Sequence, residues 1–300
     1  MSYTLTKSSK QKFKRAQPLL GTFVQIELQG DADEKLLSEC ISKGFEAISE
    51  IDRLMSFHRL DSDLTRLNQS QPSTWVKVFP LTIQVLNMAN ELFQNSKGIF
   101  DIRCGAPLVD WGLLPALNKR ENDGTFDLGL PVEIDGMNVR KTGPWILDLG
   151  GIAKGFAVDR AVEAIQELSA KHSLSGIVNA GGDLRVFGDY DPAIALRIHG
   201  QKQDWIKSID LKNLAVATSS VRPFLRSKEW GNISAYVKMP SRNAFTDQET
   251  VTVFAETCLI ADALTKVVLL GEKALARECL KFYKAKAFVF EMNGQLKEFF

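Results

Sequence analysis

The sequence offers little to a metal or redox site: three histidines and four cysteines in 300 residues. Cys40, Cys104, Cys258 and Cys279 show no close pairing, and no histidine stands near them at zinc-ligand spacing. A zinc site and a disulfide framework are therefore excluded as readings, and reduced, buried thiols are expected. His58, His172 and His199 are scattered, so no Ser/His/Asp or Cys/His arrangement can be argued from spacing. No run of about 18 apolar residues occurs, and no membrane insertion is expected. The formal net charge is only +1, so no global field recruits nucleic acid or an anionic membrane. Any bound anion needs a local site. Residues 1–19 are polar and lysine-rich without an apolar core, unlike a signal peptide, which points to a cytoplasmic protein.

What is present is a globular composition: 45% hydrophobic and 24% charged residues. The chain reads as a flexible basic arm over residues 1–18, followed by one domain over 19–300. Gly21-Thr-Phe-Val-Gln-Ile-Glu-Leu alternates apolar and polar residues and predicts a strand. Leu37, Ile41, Phe45, Ile48 and Met55 recur at helical spacing, predicting a long amphipathic helix over 33–55. A second helix is predicted over 82–93, then an irregular stretch over 98–114 and a polar loop over 119–125. Trp145-Ile-Leu-Asp-Leu predicts a short strand, Gly150-Gly151 a turn, and the residues from Ala153 a helix that buries Phe156, Ala161, Ile165 and Leu168. Strand, glycine turn and strand follow over 175–185. Alternating segments over 193–199, 205–210 and 232–238 suit an antiparallel sheet. A helix over 257–270 stops at Gly271, and a strand over 284–291 closes the pattern. The order is mixed rather than regularly βαβ, so the fold class is α+β, with mainly antiparallel sheets and packed helices.

Chemistry concentrates in few places. In Leu147-Asp-Leu-Gly-Gly-Ile-Ala-Lys-Gly-Phe-Ala-Val-Asp159, a strand ends, two glycines allow a sharp turn, and a helix begins. Free backbone N–H groups and the positive helix end then face the turn, with Lys154 beside them. This suits a diphosphate, although neither the G-x-G-x-x-G spacing nor a P-loop is present; a plain strand-to-helix turn reads equally well. Asn179-Ala-Gly-Gly-Asp183 is a second glycine turn bearing polar groups, which alone reads more readily as a tight hairpin turn than as a ligand contact. Phe100-Asp-Ile-Arg-Cys-Gly through Trp111-Gly112 is either a functional loop or one anchored by its aromatics. Asp262 lies in a helix that is apolar nearly all round, so its carboxylate needs a metal, hydrogen bonds or a counter-ion. Lys266, four residues on, is spaced for an ion pair with it.

Together these segments resemble the FAD:protein FMN transferase family, the ApbE-like flavin transferases. Leu20-Gly-Thr is similar to the family's opening M-G-T, and Met55 to Asn68 to its M-S-x-Y…S-E-L-S-x-L-N segment. Phe100-Asp…Gly105…Pro107-Leu-Val…Trp111-Gly112 is similar to its F-D-P-T-V-G-P-L-V…W-G loop. Asp148 to Asp159 matches its glycine signature, and Asn179 to Asp183, Ala217-Thr-Ser219 and Ala261-Asp-Ala-Leu264 complete the order. The resemblance implies cleavage of FAD, transfer of FMN to a Thr or Ser hydroxyl of an acceptor flavoprotein, and release of AMP, with Mg²⁺ on the diphosphate. It places Gly150, Gly151 and Lys154 at the diphosphate. Leu20, His58, Phe100, Asp101, Asp148, Asp159 and Ser219 would lie along the FAD, and the Ala153 carbonyl and Asp262 would bind the metal. Lys154, Asp262 and Lys266 are the residues assigned to catalysis.

The sequence departs from the family pattern at two telling positions. Lys266 stands where a metal-binding threonine is usual; an ammonium cannot coordinate magnesium but can replace it electrostatically. Thr265, one residue earlier, points about 100° away on a helix. Asn232 stands nearest the place of the family's histidine. The alternative functions are therefore an FAD pyrophosphatase, or a non-catalytic FAD-binding protein that has lost the metal site.

Overall fold

The computed structural model describes residues 11–116, 129–190, 212–221, 225–228, 231–247, 249–290 and 296–299. Strands β1 (Gln11–Leu19) and β2 (Thr22–Gly30) form a hairpin in register from Gln11 against Gly30 to Leu19 against Thr22. The strict alternation of β2 buries Val24, Ile26 and Leu28 on one face. Helix α1 (Glu34–Met55) starts at Asp33, whose side chain accepts the Leu36 N–H at 2.8 Å. Its apolar stripe, Leu37, Ile41, Phe45, Ile48 and Ile51, is buried in the same core.

Short helix α2 (Asp63–Gln69), strand β3 (Val76–Lys77) and helix α3 (Pro80–Asn95) follow. A 3₁₀ turn (Ile102–Cys104) leads into helix α4 (Gly105–Asp110), and strands β4 (Val132–Asp135) and β5 (Asn138–Lys141) join β3 in a small sheet ordered β3-β5-β4. Helix α5 (Ala153–Leu168) precedes strands β6 (Leu174–Ala180), β7 (Asp183–Phe187) and β8 (Ala215–Ser220). Two small hairpins follow, β9 (Arg226–Lys228) with β10 (Gly231–Ile233) and β11 (Val237–Lys238) with β12 (Asn243–Ala244). Strand β13 (Thr250–Ala255), helices α6 (Cys258–Leu270) and α7 (Lys273–Phe282), and strands β14 (Lys286–Phe290) and β15 (Leu296–Phe299) end the chain.

Among the described residues the main sheet has eight strands ordered β1-β2-β6-β7-β8-β13-β14-β15, and every pairing is antiparallel. Helices α1, α5 and α6 pack on one face of it. The architecture is α+β, as the mixed order of elements predicts.

Several expectations are corrected. Residues 11–18 are not a flexible arm but the edge strand β1, with residues 1–10 outside the described set. Its Lys12, Lys14 and Arg15 disguise it as a tail, yet charged residues are what protects an exposed edge from pairing further. Residues 145–149 are not a strand: the Asn68 side chain takes the place of a neighbouring strand, accepting the Leu147 N–H at 2.7 Å and donating to its carbonyl at 2.8 Å. The segment over 98–114 holds a 3₁₀ turn and α4 rather than irregular chain. Leu168 is 45% exposed although Ile165 and Ser169 are buried, so it points off the buried stripe of α5. The strand over 232–238 splits into β10 and β11 because Ser234 Oγ turns the chain, accepting the Tyr236 N–H and donating to the Phe245 carbonyl at 2.6 Å. Helices α2 and α7 and strand β15 were not anticipated. The segments 119–125, 193–199 and 205–210 lie outside the described residues.

Candidate active site

The site is built around the turn that enters α5. Asn68 fixes Leu147, the Asp148 N–H donates to the Ile102 carbonyl at 2.8 Å, and the Gly105 N–H donates to the Ile146 carbonyl at 3.0 Å. The chain is thus held on both sides before it reaches Gly150, whose N–H donates to Asp148 Oδ2 at 3.2 Å. Ile152, the N-cap residue of α5, makes no side-chain cap; the Ile152 and Ala153 N–H groups donate to the Leu149 carbonyl at 3.1 and 2.9 Å, and the positive end of the helix lies at the turn.

Helix α6 crosses this start at very short range. A Cβ on Gly155 would stand 2.2 Å from the Cys258 carbonyl oxygen and 2.9 Å from Asp262 Cβ, so only glycine allows the approach. The crossing places Asp262, fully buried, under the first turn of α5. Its Oδ2 accepts the Gly155 N–H at 3.1 Å and lies 3.8 Å from Lys154 Nζ. Its Oδ1 is paired with Lys266, which also donates to the Asp262 carbonyl at 3.0 Å. Lys154 is in turn paired with Asp183 at the start of β7. Two ammonium groups and two carboxylates thus form one quartet.

The electrostatics follow from this closeness. Burial alone would raise the Asp262 pKa, but Lys154 and Lys266 pull it below the usual carboxylate range. Burial would lower the Lys154 pKa, but Asp262 and Asp183 together push it well above normal. Asp148 behaves differently. Burial raises its pKa, and the Gly150 N–H, His58 and Lys266 only partly offset that. The nearby Cys104 thiol is also raised by burial, so it stays protonated and unreactive.

Lys154 and Lys266 of the quartet and the turn form one wall of a cavity of about 1300 Å³. The β6–β7 turn (Asn179 to Gly182), Gln25, Glu27 and Thr218 from the sheet, and Phe100 and Asp101 form other walls. Toward the sheet end, Glu27 accepts hydrogen bonds from Lys12 at 3.1 Å and from the Tyr190 hydroxyl.

Of the residues singled out in the sequence, Leu20, Phe100, Asp101, Asp148, Gly150, Gly151, Lys154, Ser219 and Lys266 face this cavity. Asp101 is braced by Arg103, which binds both carboxylate oxygens. His58 is exposed and Ala153 buried, both off the lining, and Asp262 lies beneath it. Asp159 is also off the lining: its carboxylate accepts the N–H groups of Cys258 and Leu259 at 2.9 and 2.8 Å and pairs with Arg185. It caps α6 instead of facing a ligand. Asn232 is exposed, hydrogen-bonded by Ser227, and absent from the cavity wall.

The sequence reading placed Asp183 in a glycine turn without giving it a role, and missed Glu27 and Tyr190. Asp183 closes the Asn179-Ala-Gly-Gly turn and had a signal there. Glu27 and Tyr190 meet from distant parts of the chain and carry no local motif.

A divalent metal fits this donor set poorly. Magnesium takes near-octahedral oxygen ligands, but both Asp262 oxygens are engaged, one by an ammonium group. Thr265, a possible oxygen donor, instead bonds the Asp262 carbonyl at 2.6 Å and Ser219 Oγ at 2.7 Å. Among the described residues, no group of three or more His, Cys, Asp or Glu side chains is placed to hold a metal. Asp262, expected with the Ala153 carbonyl to bind a metal, is instead paired with the Lys266 ammonium group in this structure.

Known proteins share both sequence and fold with this chain. It is 26% identical over 283 residues to the FAD:protein FMN transferase of Haemophilus influenzae, covering 85% of this chain and 80% of that protein. It is 27% identical over 280 residues to the protein of the same name from Vibrio cholerae, with the same shares covered. The fold superimposes on the ApbE protein of Thermotoga maritima with a TM-score of 0.81 at 24% identity, covering 96% of this chain and 97% of that one. For the flavin transferase ApbE from Vibrio cholerae the TM-score is 0.75 at 24% identity, with 97% of each chain covered. The family model for ApbE matches residues 20–289, and the chain belongs to the ApbE family.

Proposed function

We propose that this chain is an FAD:protein FMN transferase, cleaving FAD and joining FMN to a Thr or Ser hydroxyl of an acceptor flavoprotein with release of AMP. The observation that carries the reading is the convergence of Gly150, Gly151, Lys154 and Lys266 on one cavity wall at the N-terminus of α5. A glycine turn that allows close approach, a helix dipole and two ammonium groups together suit a diphosphate. The cavity, at about 1300 Å³, exceeds the roughly 300–1,000 Å³ of pockets for drug-sized molecules, which suits a dinucleotide.

In this reading the acceptor oxygen attacks the phosphorus that bears riboflavin. The bond from that phosphorus to the bridging oxygen breaks, and AMP leaves with the oxygen. Lys154 and Lys266 offset the charge that builds on the phosphate oxygens. The hydroxyl proton goes to Asp148, a cavity-facing carboxylate not committed to an ion pair. Asp101 is held by Arg103, and an asparagine at 232 has no basic group to offer.

The test is incubation of the purified chain with FAD, with and without a flavoprotein domain bearing a Thr/Ser flavinylation motif. AMP release together with a fluorescent acceptor band on a denaturing gel is the expected result. AMP release without a labelled acceptor would replace the proposal with FAD hydrolysis. Neither AMP nor label, despite FAD binding, would replace it with a non-catalytic flavin-binding role.

A further inference from the structure

Lys266 is placed as a resident cation of the site. Its side chain is 15% exposed and faces the cavity, whereas Asp262 beneath it is fully buried. A Cβ on Gly151 would stand 3.5 Å from Lys266 Cε, so the lysine stem lies directly over the glycine turn. The carbonyl and the carboxylate of Asp262 take two of its three donors. The third is left for a ligand oxygen.

Three further observations bear on a divalent ion at this place. Binding through Asp262 would place the ion on an oxygen that already accepts from the Lys266 ammonium group (Oδ1) or from the Gly155 N–H (Oδ2). It would also set a double positive charge beside two ammonium groups, since Lys154 Nζ lies 3.8 Å from Asp262 Oδ2. Finally, the Thr265 hydroxyl is turned into the contact with Ser219 and is not offered to the cavity. The quartet of Lys154, Lys266, Asp183 and Asp262 is already balanced in charge, and leaves little net negative charge to draw a metal in.

We infer that the site binds the FAD diphosphate without a divalent cation, the Lys266 ammonium group standing in the cation's place as a fixed part of the chain. This rests on the reading of the cavity as an FAD site. It predicts a protein whose affinity for FAD is set by the chain alone and does not follow the magnesium concentration.

The experiment titrates the full chain with FAD, following flavin fluorescence, once in EDTA and once in millimolar Mg²⁺. In parallel, the electron paramagnetic resonance signal of free Mn²⁺ is compared for FAD alone and for FAD with protein. The two dissociation constants are expected to agree within about twofold, and the protein should remove no Mn²⁺ beyond what FAD removes. Lys266→Thr should bind FAD at least tenfold more weakly in EDTA, recover in Mg²⁺, and retain Mn²⁺. Lys266→Arg, which keeps the charge, should still bind in EDTA. Binding by the unaltered chain that is tenfold or more tighter in Mg²⁺, with Mn²⁺ retained, would overturn the inference and leave the FAD site standing. No FAD binding in either buffer would sink both. The unaltered chain decides the question even if Lys266→Thr does not fold.

Discussion

The Cα of Gly155 lies so close to Cys258 that a Cβ there would sit 2.2 Å from the Cys258 carbonyl oxygen. This contact brings α6 onto the start of α5 and so sets Asp262 and Lys266 beside Lys154. Gly155→Ala forces the helices apart in a packed core. It should cost about 1–3 kcal/mol of stability and weaken FAD binding as the quartet separates. A urea titration and a flavin titration of the variant check the two effects. An unchanged urea midpoint would count against the close crossing.

Asp159 offers a sharper separation of stability from binding. It caps α6 through two N–H groups and neutralises Arg185, and it lies away from the cavity. Asp159→Ala should therefore cost about 3 kcal/mol, as expected when one partner of a largely buried pair is removed. The folded fraction should nonetheless bind FAD with unaltered affinity. Denaturant midpoint and flavin titration, measured on one sample, decide this; a large loss of affinity in well-folded protein would return Asp159 to the ligand.

The position of Asp159 was in principle legible. It lies five residues after Lys154, and five steps of a helix turn roughly 140°, so the two cannot share a face. Strand β2, helix α1 and the buried Asp262–Lys266 pair were equally legible, because each writes its burial as a local period. Strand β1 was not, since an edge strand hides its role behind lysines. Nor was the extended chain at 145–149, whose hydrogen-bond partner is the side chain of Asn68, 79 positions earlier in the chain. The Glu27–Tyr190 contact joins residues 163 apart and depends wholly on the sheet order. Local pattern reveals elements and turns, but pairings made by the tertiary fold leave no period to read.

Asn68 therefore makes a test of how the diphosphate turn is held. Its amide satisfies both backbone groups of Leu147 in a buried setting. Asn68→Ala leaves an N–H and a carbonyl without these partners, at about 1–3 kcal/mol for each group left unsatisfied. The expected outcome is a lower thermal midpoint and several-fold weaker FAD binding, because the turn at Gly150 loses its anchor. Calorimetry of the variant with and without FAD measures both, and unaltered values would show that the turn is held from elsewhere.

Asp148 connects the proposed reaction to pH. Burial raises its pKa above the ordinary aspartate value of about 3.9. A general base must be ionised, so transfer should be slow at low pH and rise through that raised value. Asp148→Asn keeps an acceptor for the Gly150 N–H but cannot take a proton, and should lower kcat by roughly 10²–10⁴-fold while abolishing the acid limb. Stability has the opposite sign. The folded chain holds this proton more tightly than the unfolded one, so the contribution of Asp148 is full below the unfolded pKa and declines as pH rises through the folded pKa. For the unaltered chain, kcat/KM should therefore rise with pH across the window in which the contribution of Asp148 to the urea midpoint falls, and in Asp148→Asn both changes should be absent. An acid limb that survives in Asp148→Asn would assign the base to another residue.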